Sequence, residues 1–540
     1  MKHFWPFAGK KSARAATYLV AISLFSIQPL SQAADALPQL GDGEEMSVSA
    51  EKKLGLRIAR EIYRDPDYID DPLITAYVQR LWQPLLAAAK RRGDITPEQQ
   101  QLAWEIMTGK DRSINAFALP GGFFGLHLGL VGAVSTRDEL ASVLAHELTH
   151  VSQRHIARQI SKQNQQSPWM LGAMILGAVA ASKNPQAGAA VISGSQAVSA
   201  QTQLNFSRDM EREADRIGFA ILQEAGMDVR GFTGMFDKLQ AANRINDNGS
   251  FPYLRTHPLT TERLGDMQSR LQLLPAASQT TQTLGWQAEH AIIATRARLI
   301  SDSSVDSLRA ELTQAALALR NPLPASATPV QKIRQLAQLY GGAFASSRQR
   351  NSADMLRYAA AARELLISMP FEPLAGIEHA QAAIELIAIE AMQVTATPTP
   401  ELRTAALASL AQLRSMPSQR NERPTLLAWA QLARADASLD RTSAADALQI
   451  WVTNRPGDAP AWQALSSLYE AQGQQLRSMR ASAESRIALL DYGAALDRLK
   501  AAQEWARANG ANHIESSILD TRTRAVQAMV RELQNERDKP

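Results

Sequence analysis

Apolar residues recur at helical spacing in two early stretches, Ser47 to Arg64 and Pro72 to Arg91. In the second, Leu73, Tyr77, Leu81, Leu85 and Leu86 form one stripe, the mark of a helix with a buried face. Leu102 to Met107 and Ser113 to His127 read as short strands broken at the turn Pro120-Gly121-Gly122. Helical spacing returns from Thr136 to Arg158, where Leu140, Val143, Leu144, Leu148 and Val151 recur every three or four residues. Thr136 and Glu139 have capping-box spacing, so an amphipathic helix should start near Arg137. A further helix is expected over Asn205 to Leu222, followed by a loop motif at Arg255-Thr256-His257-Pro258.

Trp169 to Ala181 is the most apolar internal run. It is shorter than the ~20 residues that span a bilayer, so it reads as a buried helix or flap, with shallow contact on a membrane surface as the alternative. Lys183 to Gln203, rich in Gly, Ala, Ser and Gln, reads as a mobile loop. Past about Leu273 the pattern becomes Ala-, Leu-, Gln- and Arg-rich helix, broken at intervals by Pro, with a gap between helical blocks at Val394 to Pro400. Trp429 with Leu432 and Trp462 with Leu465 repeat at a spacing of 33 residues, and Tyr469 continues the second pair. Leu476 to Leu490 and Ala494 to Arg507 form another pair of expected helices, hinged at Asp491-Tyr492-Gly493. Paired helices at such a period are the pattern of tetratricopeptide-like repeats.

At 540 residues the chain should exceed one core. Lys2, Lys10, Lys11 and Arg14, the uncharged run Ala15 to Ile27 and the small residues ending at Ala33 predict a secretory signal peptide over 1–33, cleaved near Ala33 and implying export. Those residues hold four basic and no acidic side chains, so their loss takes the formal net charge from +4 to 0. The electrostatics therefore give no case for a nucleic-acid partner. Cysteine is absent, so the chain needs no disulfide and is compatible with an oxidising compartment.

The chemistry centres on His146-Glu147-Leu148-Thr149-His150. Two His four apart on a helix sit one turn above each other and can grip one metal ion, and Glu147 beside them suits a base that takes a proton from water. A catalytic zinc site needs a third protein ligand. His155, five residues beyond His150 and about 140° round the helix, is not placed to supply it. The helix Asn205 to Leu222 is the natural source, offering Glu211, Glu213 and Asp215. His257 admits three roles: an oxyanion donor, a fourth ligand that closes the site, or a cap on local backbone. His127, His155, His290, His379 and His513 read as structural or surface residues. The strands just before the metal helix could hold an extended polypeptide by main-chain hydrogen bonds, or be only a structural hairpin.

The HELTH motif, the following SRDMEREAD of Ser207 to Asp215, NAFALPGG ahead of the helix and THP behind it resemble the gluzincin peptidases of the HtpX and prenyl-protein-protease type. With the signal peptide and the repeats, the likeness narrows to their periplasmic, repeat-bearing members. It implies an α+β, mostly α fold: a zinc-metallopeptidase domain with a small β-sheet over 34–272 and an all-α repeat domain over 273–540. It also implies one zinc ion per chain on His146, His150 and Glu211, with Glu213 an exposed neighbour. Asp215 becomes a proton donor by family likeness, while its helical spacing suggests that it steadies a ligand His instead. The implied activity is an exported endopeptidase, with a chaperone role, acting on misfolded or stalled outer-membrane β-barrel proteins. The repeats would reach the β-barrel assembly machinery. The alternative is a mainly non-proteolytic chaperone or adaptor.

Overall fold

A computed structural model describes residues 46–162, 207–244, 252–274, 283–369, 376–510 and 513–537. The expected signal peptide at 1–33, the apolar run 169–181 and the loop 183–203 lie outside the described residues. Helix α1 (Val48–Arg64) starts at Ser47, whose hydroxyl accepts from the Ala50 N–H at 3.2 Å. Helix α2 (Pro72–Arg92) starts with Pro at its first position, where a missing N–H costs nothing, after Asp71 accepts from the Ile74 N–H.

The sheet has three strands, β1 (Glu105–Gly109), β2 (Ala116–Leu119) and β3 (Phe123–His127), in the order β1-β3-β2. β1 runs parallel to β3, and β2 runs antiparallel to it with Phe117 opposite Gly125. The β2–β3 connection uses Gly121 and Gly122 at φ of +77° and +81°, a conformation open to glycine and strained for other residues. β2 is an edge strand and lies beside the metal helix.

Helix α3 (Leu128–Ala133) leads to α4 (Arg137–Ser152). Thr136 caps α4 by accepting from the Glu139 N–H, while Glu139 accepts from the N–H of Ser135 rather than that of Thr136. Two features depart from expectation. α4 is buried on every side from Asp138 to Ser152, so it is a central rather than an amphipathic helix. It also stops at Ser152: Arg154 takes φ of +54°, and a separate helix α5 (His155–Lys162) follows. No Gly or Pro marks this break. Contacts from elsewhere hold it, since Arg154 donates to the Met46 carbonyl and pairs with Glu51.

Helices α6 (Arg208–Glu224) and α7 (Arg230–Arg244) pack on α4. Gly218 of α6 permits the close approach, because a Cβ there would meet the Ala145 carbonyl oxygen at 3.1 Å. Helices α8 (Tyr253–Thr256) and α9 (Thr261–Gln272) complete this half. From α10 (Leu284–Ser301) to Arg537 every element among the described residues is helical. The fold is thus mostly α with one small sheet, as the hydrophobic pattern indicates.

The largest apolar core draws on residues from Leu73 to Ala481, with one smaller cluster around Leu54, Met107 and Phe123 and another from Leu476 to Val526. α10 packs on α3, His290 bridges the Tyr77 hydroxyl at 2.6 Å and the Val134 carbonyl at 3.0 Å, and Arg296 forms an ion pair with Asp71 at 2.7 Å. Further along, helices come in pairs joined by short turns: Arg423–Ala435 with Arg441–Asn454, and Ala459–Ala471 with Gln475–Ala488. Trp429 and Trp462 are both buried, yet Trp429 falls one turn deeper into its helix than Trp462 does. The helix starts, at Arg423 and Ala459, are therefore spaced slightly wider than the Trp repeat.

Candidate metal centre

α4 brings His146 and His150 onto one face, with their Nε2 atoms 3.0 Å apart. α6 crosses α4 and delivers Glu211, whose oxygens lie 3.5 Å from His146 Nε2 and 3.5 Å from His150 Nε2. The turn after α8 delivers His257, with Nδ1 3.0 Å from Glu211 Oε1 and 3.4 Å from His146 Nε2. One donor atom from each of these four buried residues lies within 4.8 Å of the other three. Donors bound to one zinc at about 2.0–2.1 Å and tetrahedral angles stand roughly 3.4 Å apart, so the observed spacings suit that ion. A set of imidazoles and a carboxylate, without thiolate, also suits it chemically.

Glu147 points into the same region. Both carboxylate oxygens are buried without a hydrogen-bond donor among the described residues, and the nearer approach is His257 Nε2 at 3.4 Å. A buried carboxylate left in this state costs stability, which fits a group kept for chemistry.

Each of the two helix imidazoles is held from behind. His146 Nδ1 lies 3.0 Å from Asp215 Oδ1. Asp215 in turn receives two hydrogen bonds from Arg263, Nε to Oδ2 at 2.6 Å and Nη2 to Oδ1 at 2.8 Å. Arg263 Nη1 donates to the Pro258 carbonyl at 2.8 Å and sits 2.7 Å from Glu211 Oε2, an ion pair whose angle falls short of a hydrogen bond. Behind His150, Nδ1 lies 2.9 Å from Nδ1 of His155, whose Nε2 lies 3.0 Å from Glu213 Oε2.

The charges follow this wiring. Burial disfavours ionised Asp215, but the Arg263 guanidinium prevails and holds it below the usual carboxylate range. Glu211 is likewise driven well below that range, against burial, by His257 and His146. Burial also works against a proton on His146, yet its bonds to Asp215 and Glu211 lift it to about 9 in the metal-free protein. Burial and the His146 charge push His150 well below its ordinary value. A site with this much negative charge on one side attracts a cation.

His146, His150, Glu211 and His257 thus converge, Glu147 lies alongside, and Asp215 stands one step behind His146. The His257 side chain faces the donors, with its ring stacked on Tyr253. Sequence reasoning missed Arg263, whose partners are 48 residues away in α6 and leave no local signal. Glu213, expected as an exposed neighbour, is half-buried and tied at 3.0 Å to Arg158 and to His155, which is buried.

Residues 72–271 match the family described as Peptidase family M48. The chain is 32% identical over 280 residues to the beta-barrel assembly-enhancing protease of Escherichia coli, covering 50% of this chain and 55% of that one. It is 34% identical over 262 residues to the Yersinia pestis protein of the same name, 47% and 51% of the two chains. It is 28% identical over 237 residues to the mitochondrial metalloendopeptidase OMA1 of Schizosaccharomyces pombe, 42% and 63% of the two. The match thus spans about half the length of the bacterial relatives. With the donor set, the family identifies the cofactor as zinc.

Proposed function

We propose, from the match of residues 72–271 to peptidase family M48, that the protein is an exported zinc endopeptidase of the periplasm, acting on outer-membrane β-barrel proteins that have misfolded or stalled. The observation that carries this reading is the convergence of His146, His150 and Glu211 from two helices beside a buried Glu147 carboxylate without a hydrogen-bond donor. His146, His150 and Glu211 hold the zinc; Asp215 and Arg263 keep His146 and Glu211 in place. When bound, the ion supplies Lewis-acid activation of water and of the scissile carbonyl. Glu147 takes the proton of the attacking water and passes it to the departing amine. His257 would either complete the donor set until substrate displaces it or present its ring N–H to the oxyanion. The outer edge of β2, beside α4, offers backbone groups to an extended peptide.

The substrate class is supported by the bacterial relatives' name, and export by the basic-apolar-small pattern of 1–33. Among the described residues no helix is long and apolar enough to cross a membrane. The tetratricopeptide-like reading of the helical half is supported by its pairs of helices with short turns, and those repeats are the surface for the β-barrel assembly machinery. The run 169–181 is the candidate for peripheral membrane contact.

Glu147→Gln should bind zinc and lose cleavage of a loosely folded protein such as casein by about 10²–10⁴-fold. Undiminished cleavage would sink the reading. The second reading, a chaperone or adaptor, is favoured by a cleft of about 790 Å³ lined by Tyr68, Trp104 and Glu105 on one side and Arg423, Trp451 and Arg455 on the other. If Glu147→Gln restores outer-membrane integrity in a deletion strain, binding rather than cleavage is the main role.

A further inference from the structure

A metal-bound imidazole uses one nitrogen for the ion and must present the other, with its proton, to an acceptor that fixes the ring. His146 has such an acceptor in Asp215. On the other side of His150, Nδ1 meets Nδ1 of His155 at 2.9 Å, with the rings at 76° to each other. Two imidazole nitrogens at hydrogen-bond distance require one to carry a proton and the other a lone pair. The far end of His155 decides which. Its Nε2 lies 3.0 Å from Glu213 Oε2, and Arg158 at 3.0 Å from the same oxygen favours the ionised form. An ionised carboxylate only accepts, so His155 Nε2 carries the proton. A neutral His155 is then bare at Nδ1 and accepts from His150 Nδ1–H. That leaves the lone pair of His150 on Nε2, the atom facing His146 and Glu211.

We infer that His155, oriented by Glu213, is the positioning residue that fixes the tautomer and ring angle of His150 for metal binding. The inference rests on the zinc reading above. The broken helix is what makes it geometrically possible. On one continuous helix His155 would lie about 140° away from His150; the left-handed Arg154 turns α5 so that the two rings meet. Glu51 and the Met46 carbonyl, which hold Arg154 in that turn, therefore contribute to the metal centre through the backbone.

The test is zinc affinity, measured by competition with a chelator of known affinity on the full-length protein, together with thermal unfolding of the zinc-free forms. His155→Phe keeps the bulk and removes both hydrogen bonds, and zinc should bind about 10–100-fold more weakly. His155→Gln can accept from His150 through its amide oxygen and donate to Glu213 through its amide nitrogen, and should recover most of that loss. The two zinc-free variants should unfold at similar temperatures. Wild-type affinity in His155→Phe, or equal weakening in both variants, overturns the assignment and leaves His155 a packing residue. Should His155→Phe not fold, Glu213→Leu on the half-buried outer side carries the same test, with weakened zinc expected and unchanged affinity contradicting. If the wild-type protein itself binds no zinc, the fault lies with the zinc reading and not with this relay.

Discussion

The metal centre and the seam where Asp70 and Asp71 meet arginines of the later helices bury charge differently. At the seam two guanidiniums are enclosed by carboxylates, Arg296 by Asp71 and Glu390 and Arg423 by Asp70 and Asp458, at 2.7–2.8 Å, and at the metal centre Arg263 is held in the same way by Asp215 and Glu211. At the metal centre three imidazoles crowd together and Glu147 is buried without a hydrogen-bond donor among the described residues. Satisfied buried charge positions parts, whereas unsatisfied buried charge stores a capacity that a ligand or substrate completes. Substitutions in the two regions should therefore separate activity from stability.

The largest separation is expected from Glu147→Gln. Cleavage falls by about 10²–10⁴-fold, while the melting temperature stays level or rises because a buried carboxylate without a hydrogen-bond donor has been replaced by a neutral amide. A loss of both together would erase the contrast. Arg296→Met should do the reverse: about 3–5 kcal/mol of stability is lost in denaturant unfolding, since Asp71 stays buried, and Glu390 half-buried, without their cation. Zinc content of the surviving folded fraction should not change.

Asp215→Asn is next. It leaves the fold standing but gives Arg263 a neutral partner and His146 an ambiguous one, weakening zinc about 10–100-fold in chelator competition.

Acid should probe the seam more gently. Burial opposes ionisation of Asp458, but hydrogen bonds and charge from Arg423 overcome it and lower its pKa. Its contribution is thus fully present above the unfolded value of about 3.9 and fades as pH falls through the lower folded value. Stability should be flat in this respect from neutral pH to about 5 and fall below about 4. Arg423→Met, weaker at the outset, should lack that part of the fall when acid unfolding is followed by circular dichroism. The smallest effect belongs to the exposed pair Arg309–Asp306, where Arg309→Ala should change stability by about 0.5 kcal/mol or less.

How legible these regions were in the sequence follows from how local their causes are. His146, Glu147 and His150 could be read because helical geometry alone puts four-apart residues on one face. The start of α4 could be read because Thr136 and Glu139 carry the capping chemistry within one turn. Glu211 was narrowed only to a choice among three acids, and its selection came from family likeness. Where the cause is distant, reading failed. The end of α4 depends on Arg154 meeting Met46 and Glu51, about a hundred residues earlier, and neither side of that contact bears a turn residue. The contact between His155 and His150 was hidden for the same reason, because the bearing of about 140° holds only on a helix that continues past Ser152. Arg263 escaped for the same reason: a buried Arg has no signature until its carboxylates are found.

The measurement that bears most directly on the central claim is zinc per chain in the purified protein beside Glu211→Ala, each dialysed against a trace of chelator. The account predicts one equivalent in the wild type and nearly none in the variant, with both folded. A Glu211→Ala protein that keeps its full equivalent would contradict it, because the two imidazoles of α4 would then be sharing their ion with some other partner.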